Sequence, residues 1–413
     1  MRKAKFILLS LVLVFTFFFT NDFGLIDVEK TSIITAIAVD KEDDGYLITA
    51  QIAVPEATDA NTENRKAEIS GKGKTVGEAL KNTGDVSGWF PKLAFCNLIL
   101  LGSDLSQTNV IRVLDYFAKT LRVQDSALVA LAENKASELL KLATPLDNIS
   151  SFALQKIMLK NPGFDRDVTS SDIKSFCSGH YSDSSSAFMP LIKVIKSDSG
   201  NSSQGSQSSN SSGSGSSSSS GSNSSSSSAS SGGNADQKKM DNLFDARTTA
   251  LFKDGVKVGE LSPELTFMFN AYFLPLDGTT LPVDDVEING KKCNALLTIL
   301  TGKPSVKVKA DEQNLTVELS LTLYCKITDI DSDYTEEALS QNLPLPQAVK
   351  DKTEQMLTER TNELVETIKN TGCDFLKIKE KLYRHNHGQY SRYKDNYLSV
   401  LKSSVNIDVQ GQK

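Results

Sequence analysis

The residues that could do chemistry are few: three histidines, His180, His385 and His387, and five cysteines, Cys96, Cys177, Cys293, Cys325 and Cys373, in 413 residues. His385 and His387 flank Asn386 in the stretch YRHNHGQY. An H-x-H pair on a strand can hold a metal, but no carboxylate or cysteine accompanies this one at ligand spacing, which favours a solvated turn. His180 stands by itself in a polar stretch read as a loop. The cysteines lie 81, 116, 32 and 48 residues apart. An odd total with no C-x-x-C pair is neither a disulfide framework nor a zinc pattern, so they read as small apolar residues, with a Cys293–Cys325 pair left open. The triplet Gly73-Lys74-Thr75 hints at a phosphate loop, but Glu68 stands where that loop needs its first glycine. Acidic residues are numerous, yet nothing in the sequence pairs two of them in a cleft. No catalytic, cofactor-binding or metal residue is assigned, and a secreted hydrolase lacks a nucleophile, base and orienter set.

The strongest signal is at the N-terminus. A basic cap, Met1 to Lys5, precedes an apolar run of Phe6, Ile7, Leu8, Leu9, Leu11, Val12, Leu13, Val14, Phe15, Phe17, Phe18 and Phe19, broken only by Ser10 and Thr16. Residues 1–22 therefore form a signal or membrane-anchor segment with its lysines held in the cytoplasm. Fourteen helical residues span about 21 Å against a hydrocarbon core of roughly 30 Å. That length suits a signal h-region, or a short anchor whose Lys3 and Lys5 snorkel. Large phenylalanines at 17, 18 and 19 occupy the place where cleavage needs small residues, so the expectation is an uncleaved anchor with residues 22–413 outside the membrane.

The elements that follow must position whatever function exists. A net charge of −6 and a pI near 5.4 argue against nucleic acid as the main partner. The β-branched run TSIITAIAV, the acidic turn KEDDG and YLITAQIAV predict two paired strands. Thr75-x-x-Glu78 is a capping box that opens a helix. LAFCNLILLG and SALVALA read as strands, NVIRVLDYFAKTL as a helix, and Asn134 as the cap of a further helix carrying Ala136, Leu139 and Leu140. Alternating strands and helices define a first domain over 25–196. Residues 197–231 hold 23 serines and five glycines. Such a tract cannot bury enough surface to fold, so 197–239 is read as a disordered Ser/Gly-rich linker.

Over 240–413 the sequence predicts a hairpin around Lys253-Asp254-Gly255 and several more strands. It also predicts a helix from Pro346 to about Asn370, striped by Val349, Met356, Leu357, Leu364, Val365 and Ile368, laid on an antiparallel sheet. The fold class is α+β: two folded halves of mixed sheets with packed helices, joined by the linker, after an N-terminal hydrophobic anchor. Residues 369–402 carry eight lysines and arginines against three acids, interleaved with Tyr383, Tyr390, Tyr393 and Tyr397. That surface suits anionic lipid headgroups, an acidic partner, or plain solvation.

The run DVEKTSIITAIAVDK with its acidic turn resembles the start of the Ger(x)C family, the C-subunit lipoproteins of nutrient germinant receptors in spore-forming bacteria. GKTVGEAL, LAFCNLILLG, ALVALAENKASELL, ALFKDGVKVGEL, the long helix and GCDFLKIKEKLYR follow in the family's order. Two departures matter. Family members carry a lipobox cysteine followed by Trp-Asp before the first strand, and here those places fall on Asp22 and Phe23, so lipidation at the N-terminus is not expected. The histidine often found in the family's third strand is replaced by Cys96 or a neighbour. The resemblance implies a non-enzymatic subunit on the outer face of the membrane, beside integral membrane subunits of a germinant receptor complex. A free-standing exported surface or ligand-binding protein is the alternative.

Overall fold

The β-branched run near the N-terminus forms β1 (Thr31–Glu42), which turns back into β2 (Gly45–Ala53) and then β3 (Lys66–Gly73). In this computed structural model the described residues are 31–53, 66–88, 90–120, 123–159, 166–196, 242–288, 290–331 and 345–411. The apolar run Phe6–Phe19, Asp22 and the serine tract lie outside them. After β3 comes α1 (Val76–Ser87), capped as the sequence requires: Thr75 Oγ1 accepts from the Glu78 amide at 3.1 Å. The Glu78 carboxylate reaches back to the Lys74 amide at 2.9 Å, one residue before the cap.

Next come β4 (Phe90–Lys92), β5 (Leu98–Leu101), α2 (Ile111–Lys119), β6 (Leu128–Ala132), α3 (Ala136–Lys141), α4 (Ser150–Met158), α5 (Ile173–His180) and β7 (Ser186–Lys196). Strands β1, β5, β6 and β7 run parallel, and β5 and β6 are buried at every position, as strands covered on both faces must be. One face packs Ile37, Val39, Ile99 and Val129 with Leu80, Phe117 and Phe176 of α1, α2 and α5. The other packs Ala36, Leu98, Leu100 and Ala130 with Leu140 and Leu154 of α3 and α4.

The first sheet does not stop at the linker. Strand β8 (Asn242–Lys253) pairs antiparallel with β7 from Lys196↔Asn242 to Ser186↔Lys253, and β9 (Val256–Leu261) closes the sheet in the order β3-β2-β1-β5-β6-β7-β8-β9. The sequence groups 240–413 together, whereas residues 242–261 cover the edge that β7 would otherwise leave unpaired. The β8–β9 turn holds Asp254 at φ 52° and Gly255 at φ 80°, the double left-handed geometry for which Asp-Gly is suited.

Residues 197–241 thus leave and re-enter at paired positions of one hairpin. Replacing residues 200–238 by a short Gly/Ser turn is therefore expected to leave the fold intact. It should raise stability by up to about 2 kcal/mol, roughly 0.6 kcal/mol per halving of loop length. A lowered urea midpoint in the shortened chain would contradict this.

The second sheet follows α6 (Pro263–Phe273), whose Ser262 cap accepts from the Leu265 amide. It is built from β10 (Thr280–Ile288), β11 (Lys291–Ala310), β12 (Leu315–Ile330) and β13 (Leu401–Gly411), in that order. CNALLTIL and SVKVKA form a single bulged strand, β11. The expectation of an antiparallel sheet is corrected at β13, which pairs parallel with β12. The physical reason is the crossover between them, α7 (Gln347–Thr371), α8 (Ile378–His385), α9 (His387–Tyr393) and α10 (Tyr397–Val400).

Helix α7 buries Val349, Thr353, Leu357, Thr361, Leu364, Val365 and Ile368, with Met356 half-buried at the flank. Thr353 and Thr361 complete this stripe by donating to the carbonyls of Val349 (2.6 Å) and Leu357 (2.7 Å), which satisfies their hydroxyls inside the core. Cys325 pairs with Ile299, six residues along β11 from Cys293, so the two sulfurs are about 20 Å apart and all five cysteines are free thiols.

Candidate functional site

The C-terminal helices meet the first sheet along one edge, and the polar residues there form a connected buried cluster that joins the two sheets. Strands β1 and β7 are parallel, so Ser186 at the start of β7 lies on the same edge as Thr31 at the start of β1. Onto that edge dock residues 373–380. The Cys373 thiol donates to the Phe252 carbonyl at 3.3 Å, and the Asp374 amide donates to Ser186 Oγ at 2.8 Å. The Asp374 side chain, 1 % exposed, accepts from the amides of Ile378 (2.9 Å) and Lys379 (2.8 Å) and so caps α8. Burial pushes its carboxyl up to about 6, against the pull of those amides and the Tyr397 hydroxyl.

Glu380, one turn into α8, accepts from Ser184 Oγ at 2.7 Å and from the Ser184 amide at 3.2 Å. Burial opposes its ionisation, but the Ser184 and Ser182 hydroxyls and backbone amides hold its carboxyl below the usual range. The Lys253 ammonium donates to the Ser184 carbonyl, and the Tyr390 hydroxyl to Asp183 at 3.2 Å. These groups cap α8 and dock one sheet to the other; both Asp374 oxygens are engaged by amides, whereas Glu380 is engaged through Oε1 and its buried Oε2 has no partner among the described residues.

Beside this seam stand Lys377, the left-handed residue just before α8, and Lys381 and Arg384 on α8, three residues apart on neighbouring positions of the helix surface. Lys377 and Arg384 are exposed. The Lys381 ammonium is held below its ordinary range by burial and then by repulsion from Arg384 and Lys377. Ion pairs of the described residues lie elsewhere, as between Lys369 and Glu366. Tyr383, nearly half exposed, packs edge-on against His387 at 4.9 Å and Tyr390 at 5.0 Å. The block is basic, aromatic and open to solvent.

The histidines are not brought together into a metal site. His385 and His387 are exposed at the end of α8 and the start of α9, while Asn386 between them donates to the Val308 carbonyl at 2.8 Å. His180, read from sequence as a loop residue, is the last residue of α5, and its ring packs on Tyr181 at 4.9 Å. Among the described residues no three His, Cys, Asp or Glu side chains group as metal ligands.

Cys96 is fully buried, two residues before β5 rather than within it, and burial pushes its thiol up to about 12. Cys325 and Cys373 are pushed to about 12 by the same cause, while half-buried Cys177 reaches about 11. A water-soluble thiol reagent is therefore expected to modify Cys177 well before Cys96, Cys325 and Cys373, as followed by peptide mass mapping. Early modification of Cys96 would refute its burial.

Fold and site together define an α+β protein of two docked sheets whose buried polar residues serve assembly of the chain and whose open face is basic. The sequence model described as the spore germination protein N-terminal domain matches residues 25–194. A second, described as spore germination B3/GerAC like, C-terminal, matches residues 247–412. Together they span most of the chain, which belongs to the Ger(x)C family of spore germination proteins. The C-terminal match begins inside β8, so the family boundary follows the linker while the first sheet crosses it. The crystal structure of the GerBC protein shares the fold, with a TM-score of 0.50, 14% identity, and coverage of 94% of this chain and 100% of that one. Among curated proteins none matches the chain.

Proposed function

We propose that the chain is a non-catalytic, membrane-attached C subunit of a spore nutrient germinant receptor, required for the response to germinants. It is tethered at the outer face of the membrane by Phe6–Phe19 and works beside integral membrane subunits. The observation that carries this reading is the match of both halves of the chain, in order, to the family's two sequence models. Among the described residues no helix is long and apolar enough to cross a membrane, so attachment in this reading falls to the N-terminal run. The lipobox position held by Asp22 gives that run the task a lipid has elsewhere in the family. The basic cluster of Lys377, Lys381 and Arg384 is the surface suited to an acidic partner face.

The test is affinity purification of the tagged chain from spore membranes, with identification of what accompanies it. Multi-spanning membrane proteins are expected to co-purify, and a strain lacking this chain should lose its response to nutrients. Recovery of the protein alone and soluble, starting near residue 20, would favour a free-standing exported binding protein.

A further inference from the structure

The first described element is β1, and the eleven residues between Phe19 and Thr31 could reach at most about 40 Å if fully extended. The edge of the first sheet where β1 starts is the part of the described fold to which the N-terminal segment is joined. At that edge β4 pairs with β1, Thr31 to Phe90 and Ile33 to Lys92. Three large apolar side chains remain exposed there: Ile33 on β1 (36 %), Val86 in the last turn of α1 (74 %) and Phe95 three residues beyond β4 (52 %).

Other large hydrophobic side chains are exposed along the described chain, Leu146, Leu159 and Tyr181 among them, but these three belong to the elements that meet where β1 starts. Their gathering at one edge is the informative feature, since scattered exposure would need no explanation. Exposed Lys81 and Lys92 stand on the same segment, with Asp85 as the opposing charge. Apolar side chains flanked by lysines suit the headgroup region of a bilayer, where the apolar part sinks and the ammonium meets phosphate.

We propose that this edge, marked by Ile33, Val86 and Phe95, rests on the phospholipid surface and inserts Val86 and Phe95 at headgroup depth. This rests on the membrane-attached reading above. The edge fixes the orientation of the protein: α8, capped at Asp374, docks at the start of β7 on the same edge, so the seam lies on the membrane side rather than the exterior.

The sole tryptophan, Trp89, falls between Val86 and Phe95 in sequence and reports on the contact. The full chain is reconstituted into vesicles of zwitterionic and anionic phospholipid, with and without acyl-chain bromination, and Trp89 emission and flotation are read together. Wild type is expected to float and to be quenched by the brominated lipid. The double variant Val86→Asp/Phe95→Asp, both at exposed positions, is expected to float equally while its quenching falls at least twofold. A wild type that floats without quenching overturns the proposal and leaves the anchor standing. Flotation lost together with quenching overturns both. Quenching that survives the double variant, or protection of Trp89 only when integral spore-membrane proteins are present, also overturns the lipid contact, the latter in favour of a protein interface.

Discussion

Asp40→Ala is expected to lower stability by about 3–5 kcal/mol, read as a fall in the urea midpoint. Asp40 is 2 % exposed near the end of β1, and its two carboxylate oxygens accept from the backbone amides of Ala136 (2.7 Å) and Ser137 (2.9 Å). It is the N-terminal cap of α3, supplied from 96 residues away. Truncation strands two buried donors, each costing on the order of 1–3 kcal/mol, and withdraws a negative charge from the positive end of a helix. The site is built to the size of that carboxylate: a β-carbon at Gly102 would stand 2.2 Å from Asp40 Oδ1, so Gly102→Ala should displace the cap and destabilise by a comparable amount. Asp40→Asn restores one acceptor but turns an amide NH₂ toward a donor, and should recover only part of the loss. A cost below about 1 kcal/mol for Asp40→Ala would mean that water replaces the cap.

Asp40 also shows where sequence reading stops. The capping box at Thr75 and Glu78, the left-handed turn at Asp254 and Gly255, and the long helix with its stripe are legible because each is a local pattern, fixed within one or two turns of chain. Asn134 reads as the cap of α3 because it stands at the right spacing. The structure places Lys135 at the cap position and takes the acceptor from β1 instead. The same limit applies to β8, which looks like the start of a second half and hydrogen-bonds to the first, and to β13, whose apolar pattern carries no information about parallel pairing. In the candidate site the basic tyrosine-rich block is legible from composition. The docking residues are not, since Ser184 and Ser186 lie nearly two hundred residues from Asp374 and Glu380 and are marked by no spacing.

Asp374→Asn is expected to remove a dependence of folding stability on pH that the native protein carries between about pH 4 and 6. The group begins from an ordinary value of 3.8 and is pushed to about 6 by burial. Between those values the folded state holds a proton that the unfolded chain has released, so stability contributed by this group falls as pH rises through the window and is level above it. A rise from 3.8 to about 6 corresponds to roughly 3 kcal/mol at most. Groups such as Asp245, held below its usual range by the Arg247 guanidinium, act in the opposite sense. The measurement is therefore the difference in urea midpoint between wild type and Asp374→Asn, taken from pH 4 to pH 7. Wild type should lose ground against the variant as pH rises to about 6 and hold it steady thereafter. Asp374→Ala, which strands the Ile378 and Lys379 amides, should in addition cost about 2–4 kcal/mol at every pH and loosen α8 from Ser184. Hydrogen exchange at Ile378 and Lys379 would report that loosening directly. A wild-type-to-Asn difference that stays constant across the range would show that Asp374 is ionised throughout, its helix cap outweighing its burial.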